Sequence, residues 1–205
     1  MAYIHALYDF DIENDFGYGP TTSIFWNFCS FHCNGCWNSK TWDRQDDLYI
    51  DNDELVLKIN KALKSYNFKK ELSLLGGDPL VDQNINDTLY VLTKIKELNP
   101  DLKIGVWTGF KWETLISKPD KYENQIKVLN LIDYLIDGPF VLSKKIKNRR
   151  YGSWNQRVID VKQSLKQNNL IIEKQYAIEN ENHIDFNIVN DLYIFQKYKS
   201  KEKHK

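Results

Sequence analysis

Three cysteines, one methionine, five prolines and nine glycines among 205 residues leave this chain short of what marks several protein classes. An odd, small cysteine count argues against a disulfide-stapled framework, because such scaffolds pair many cysteines in an oxidising compartment. The low glycine and proline content excludes collagen-like and linker-like chains. No stretch approaches the roughly 18 consecutive apolar residues of a membrane-spanning helix. The N-terminus, MAYIHALYDFDIEND, also lacks the basic region and long apolar run of a signal peptide. The expectation is a cytoplasmic protein with no membrane partner. Excess charge of either sign is missing as well. Lys and Arg number 28 against 28 Asp and Glu, which removes the global attraction a general nucleic-acid binder uses. No direct nucleic-acid partner is expected.

What is present suffices for a core. Apolar residues make up 42% of the chain and aromatics 14%. A chain of this length can bury about 70% of its unfolded surface, with room for one ordinary domain or two small ones.

Apolar periodicity organises the chain. Residues 2–12 read as a strand, and Ser23-Ile24-Phe25-Trp26-Asn27-Phe28 as a second, β-branched and aromatic, running directly into Cys29. Asp51 with Glu54 three residues on reads as a capping box for a helix over about 52–66, with Leu55, Ile59, Ala62, Leu63 and Tyr66 on its apolar stripe. A buried strand over 71–75 stops at Gly76-Gly77. Ile85, Leu89, Leu92, Ile95 and Leu98 then trace a helix that ends before Pro100. A strand over 102–107, helical residues 111–130 interrupted at Pro119, and a strand over 131–137 complete the pattern. Strand and helix alternation predicts α/β architecture with a parallel sheet and crossover helices. In such a sheet the Cys loop and the turns at Gly76–Pro79, Thr108-Gly109 and Asp137–Pro139 all follow strands, so they converge on one edge. Beyond 140 the pattern is irregular, with a basic run over 144–150 and a charged tail, KYKSKEKHK, expected to be solvated.

All three cysteines stand in one string, CSFHCNGC, as Cys29, Cys33 and Cys36. Scattered at random they would take this spacing roughly once in 10,000 placements. Thiolates bind zinc or iron–sulfur clusters, and both ordinarily take four ligands. Zinc could recruit His32, though its adjacency to Cys33 strains a closed tetrahedral site. A cubane held by three cysteines keeps one iron open, which is what a catalytic metal needs. A thioredoxin-like pair, Cys33 with Cys36, leaves Cys29 unexplained.

The x3 and x2 spacing on a loop after the first core strand resembles the signature of the radical S-adenosylmethionine (SAM) enzymes. Within that superfamily the strings GCWNSKTWD, GGDPL, WTGFKWETL, DGPF and GSWNQRVID, in this order, are similar to those of the activases of anaerobic ribonucleoside-triphosphate reductase. The resemblance implies a partial, open parallel α/β barrel over residues 1–161, with 162–205 an unassigned, irregular C-terminal extension. It implies a [4Fe-4S] cluster on Cys29, Cys33 and Cys36, whose open iron takes the amino and carboxylate groups of SAM. Gly35, Cys36 and Trp37 would lie beside the adenine. Gly76 and Gly77 would let the backbone approach SAM, and Asp78 would offer a carboxylate to its ammonium; the alternative for Asp78 is a helix N-cap. Asn155, Gln156 and Arg157 would be a partner-docking or closing segment, or else an edge hairpin. The implied partners are the glycyl-radical subunit of the anaerobic reductase and a low-potential electron donor such as a flavodoxin or ferredoxin. Other readings are an activase for a different glycyl-radical enzyme, a radical SAM enzyme acting on a small metabolite, and a non-catalytic zinc-binding module. Two departures stand out: Gly35 precedes the last cysteine where many radical SAM enzymes carry an aromatic residue, and the Gly17–Thr22 segment lacks an arginine the family often has.

Overall fold

A computed structural model describes residues 1–12, 19–146 and 151–172. Seven strands form one open sheet in the order β3-β1-β2-β4-β5-β6-β7. Its centre is parallel: β2 (Thr21–Trp26), β4 (Glu71–Gly76), β5 (Ile104–Trp107) and β6 (Tyr134–Asp137) run the same way. The intervening segments carry α1 (Asn52–Leu63), α2 (Ile85–Leu98), α3 (Trp112–Ile116) and α4 (Glu123–Leu129).

The flanks depart from the expected parallel pattern. β1 (Ala2–Asp11) pairs antiparallel with β2 and with the two-residue β3 (Tyr49–Ile50), and β7 (Arg157–Asp160) pairs antiparallel with β6. For β1 and β2 the reason is connection length, since residues 12–20 are too few for the dozen or more that a parallel crossover takes; between β6 and β7 the described residues carry only the short 3-10 turn Leu142–Lys144 and no α-helix. β7 is followed by α5 (Val161–Gln167), and Leu170–Ile172 return to bridge Ile159, so packing continues past the last recognisable string. Lys147–Arg150 of the basic run, Glu13–Tyr18 and the charged tail lie outside the described residues.

Local chemistry explains the helices. The Asp51 carboxylate caps α1 by accepting from the amides of Asp53 and Glu54, while Glu54 turns to Lys58. α1 stops at Leu63 rather than at 66, leaving Tyr66 on the surface. α2 ends at Leu98, whose side chain is exposed rather than in the stripe. Alternation along the strands divides two apolar layers. Ile24, Trp26, Leu72, Leu74, Ile104, Val106, Leu135 and Ile159 pack with the helices in the main core. Tyr134, Ile136 and Val158 face the other way, onto Ile146 and Tyr151. Among the described residues no helix is long and apolar enough to cross a membrane.

Candidate functional site

The cysteine loop is fastened to the sheet at its start and closed on itself at its end. The amide of Asn27 donates to Tyr3 O at 2.8 Å, Phe28 turns the chain with φ of 77°, and the amides of Phe28 and Cys29 donate to Thr41 O and Trp42 O. Within the loop, His32 and Gly35 adopt positive φ, and the Cys36 amide donates to Cys33 O at 3.0 Å. All three thiols are half-buried. Burial pushes Cys29 up to about 12, reinforced by the nearby Asp78 charge and opposed by backbone amides of Phe31 and His32. Burial also raises Cys33, against a hydrogen bond from the Phe140 amide. The thiolate is the form that ligates metal, and a bound cation or cluster would stabilise it against this burial.

Residues around the last cysteine face another loop. A Cβ on Gly35 would lie 2.8 Å from Leu142 Cδ1, so Leu142 fills the space a side chain would take. Trp37 is 71% exposed, with Lys145 Nζ 5.4 Å from its ring centroid. His32 stacks flat on Trp42, ring centroids 5.1 Å apart. Among the described residues no group of three His, Cys, Asp or Glu side chains converges on a single ion.

The turn after β4 crosses directly beneath this loop. Gly76 takes φ of 92°, and the amides of Gly77 and Asp78 donate to Trp26 O and Phe28 O at 2.7 and 2.9 Å. A Cβ on Gly77 would lie 2.3 Å from Phe28 O, so only glycine lets the two backbones meet. The close approach is thus first of all to the chain itself. Asp78, 3% exposed, accepts from the amides of Leu80 at 2.8 Å and Gly109 at 2.7 Å, and from Thr108 Oγ1 at 3.0 and 2.9 Å. Burial raises its pKa to about 6, held down by these donors. Its carboxylate therefore clamps the turn after β4 to the turn after β5.

Several contributors carried no sequence signal. Asn84 Nδ2, ahead of α2, donates to the carbonyls of Asn27, Phe28 and Asp78. Phe31 sits where a Gly109 Cβ would be, 2.5 Å away, with its ring edge-on to Phe110. Asn155, Gln156 and Arg157 join the strand end of β6. Arg157 forms ion pairs with buried Asp137 and with Glu113, which raises the arginine's pKa further and lowers that of Glu113. The sequence-predicted residues thus come together at one edge of the sheet, except that Trp37 projects outward.

The chemistry of the donor set suits an iron–sulfur cluster. It offers three half-buried thiols on one loop and a ring stack that engages His32. Residues 16–159 match the family described as a 4Fe-4S single cluster domain. The chain is also similar to proteins named anaerobic ribonucleoside-triphosphate reductase-activating protein. That of Escherichia coli (strain K12) is 34% identical over 159 residues, spanning 75% of this chain and 96% of the relative. That of Haemophilus influenzae is 36% identical over 142 residues, spanning 69% and 85%. That of Enterobacteria phage T4 is 31% identical over 155 residues, spanning 74% and 90%.

Proposed function

Because the chain belongs to the family of anaerobic ribonucleoside-triphosphate reductase-activating proteins and carries their 4Fe-4S single cluster domain, we propose that it is a radical SAM activase placing a glycyl radical on the anaerobic, class III reductase. The observation that carries the reading is the loop bearing Cys29, Cys33 and Cys36, fastened at the strand-end edge of an open sheet, with no other cysteine in the chain. When bound there, a [4Fe-4S] cluster supplies one electron that breaks the S–C5′ bond of SAM, giving methionine and a 5′-deoxyadenosyl radical, which becomes 5′-deoxyadenosine by taking the Cα hydrogen of a glycine.

The chain's residues hold and orient. The three cysteines carry the cluster. The Gly76-Gly77 turn offers backbone to the amino-acid end of SAM, and Asp78, committed to Leu80, Thr108 and Gly109, keeps that turn in place. Gly35 and Trp37 flank the adenine. In this reading residues 1–161 form a partial barrel of the radical SAM type, open so that a loop of the reductase can enter. Electrons come from a flavodoxin or ferredoxin in the cytoplasm. Holding the glycine Cα beside C5′ is the protein's main contribution, since hydrogen transfer to a primary alkyl radical runs downhill.

Anaerobic reconstitution tests the reading. About four irons per chain are expected, with reductant-dependent release of methionine and 5′-deoxyadenosine that is lost in each of Cys29→Ala, Cys33→Ala and Cys36→Ala. One zinc and no iron, or cleavage that survives any one substitution, contradicts it.

A further inference from the structure

Two neighbouring side chains in the spacer between Cys29 and Cys33 are pinned to different parts of the sheet edge. Phe31 lies on the turn after β5: a Cβ on Gly109 would meet its ring at 2.5 Å, and the ring stands edge-on to Phe110 with centroids 5.1 Å apart. That turn is itself held. The Gly109 amide donates to Asp78 at 2.7 Å, the Phe110 amide to Thr108 Oγ1 at 3.2 Å, and Phe110 O accepts from the Gly138 amide at 2.8 Å. Tyr122 meets the Phe110 ring as well, centroids 5.6 Å apart. His32, at φ of 45°, stacks flat on Trp42, whose carbonyl accepts from the Cys29 amide. Beyond Cys33 the chain turns at once, with the Cys36 amide on Cys33 O, and Leu142 occupies the space beside Gly35. The separation of Cys29 from Cys33 is therefore set by packing that needs no metal.

A lone zinc ion asks for a different loop. Its ligands sit at about 2.3 Å in a tetrahedron, which brings thiolate sulfurs within about 4 Å of one another. A cubane binds each cysteine at a different iron and so accepts thiolates spread further apart. Among the described residues no three Cys, His, Asp or Glu side chains are gathered as a single ion requires. To gather them, residues 30–32 would have to move, taking Phe31 off Gly109 and His32 off Trp42. We propose that Phe31 is a specificity-determining residue: by anchoring the spacer on Gly109 and Phe110 it keeps the three thiols from closing on one zinc ion, and so reserves the loop for a cluster. Selection by geometry is what such a site needs, since zinc binds thiolates more tightly than ferrous iron does. That the loop carries a cluster rests on the proposed function; the exclusion of zinc does not, and is measured without iron.

Full-length, cluster-free, reduced protein is titrated anaerobically with Zn(II) against a chromophoric chelator, and with Co(II), whose visible bands report tetrahedral thiolate ligation. Wild type should bind both weakly, without the tetrahedral cobalt bands. Phe31→Ala should bind zinc about tenfold or more tightly than wild type and show those bands, which disappear when Cys29→Ala is added, while its iron uptake on reconstitution falls. Phe31→Leu, which keeps part of the packing, should lie between the two. A ring that did no more than support the fold would, on removal, lower affinity for both metals. Should Phe31→Ala fail to fold by circular dichroism, Phe31→Leu and Trp42→Leu, which frees His32, carry the same expectations in smaller size. Wild type that closes on zinc as tightly as Phe31→Ala, or a zinc affinity that does not rise in the variants, overturns the inference. Wild type that takes up neither zinc nor iron overturns the proposed function alone, and the zinc titrations of the variants still decide the role of Phe31.

Discussion

Replacing Asp78 by Asn keeps the shape of the side chain and removes one of two acceptor oxygens. Both oxygens are in use: Leu80 and Gly109 amides and the Thr108 hydroxyl all donate to them from 2.7 to 3.0 Å. An amide turned to serve one backbone N–H presents its own hydrogens to the other, so about 1–3 kcal/mol of stability should be lost. Asp78→Ala, which leaves every donor unserved, should lose more. The loss depends on pH in a defined direction. Burial raises the native pKa from 3.8 to about 6, so the folded state holds this proton more tightly than the unfolded chain. Its contribution is fully present below about pH 4 and is lost as pH rises through 6, with a slope of at most about 1.4 kcal/mol per pH unit. The stability gap between wild type and Asp78→Asn should therefore be wider near pH 4.5 than near pH 7. Urea denaturation of cluster-free protein under anaerobic conditions reads the gap, and SAM titration of reconstituted protein shows whether affinity falls along with stability. A carboxylate acting only on the SAM ammonium would lose affinity by about 10- to 150-fold with stability untouched, and that result would refute the clamp.

Glu71, buried at the start of β4 with Oε2 lacking a hydrogen-bond partner, has its pKa raised to about 7 by burial. Its contribution to stability is lost between about pH 4.5 and 7, so Glu71→Gln should be more stable than wild type by about 1–3 kcal/mol at pH 8 and near parity at pH 4.5; equal gaps at both values would contradict this. Gly77→Ala puts a Cβ 2.3 Å from Phe28 O. Overpacking of about 1–3 kcal/mol or more should push the cysteine loop aside, so iron uptake should fall, and full uptake at wild-type stability would count against the close approach. Arg157→Leu leaves Asp137 buried without its cation; a loss of about 3–5 kcal/mol is expected in urea denaturation, and a change under 1 kcal/mol would show the pair to be dispensable.

What could be read from the sequence was what is encoded over short spans. The cysteine spacing sits within eight residues, α1 and α2 repeat an apolar stripe at helical period, and β4 ends at a glycine pair whose φ and crowding require glycine. What escaped reading depends on partners far along the chain. Asp78 and Thr108 are 30 positions apart, and Gln156 and Gly138 are 18 apart. No local pattern announces that an aspartate after Gly-Gly will accept from a threonine so far along the chain. β7 is four residues long and takes its direction from β6. α5 did have a signal: the Asp160 side chain accepts from the Gln163 amide, an N-cap with the usual spacing.

The most direct test is transfer of a radical to the partner. Reduced protein, SAM and the cognate anaerobic ribonucleoside-triphosphate reductase are mixed without oxygen and followed by electron paramagnetic resonance. The account predicts a doublet on the reductase that collapses when its glycine is deuterated at Cα, formed together with 5′-deoxyadenosine and absent with Cys36→Ala. Cleavage of SAM at full rate without that doublet, accompanied by consumption of a small metabolite, would contradict it.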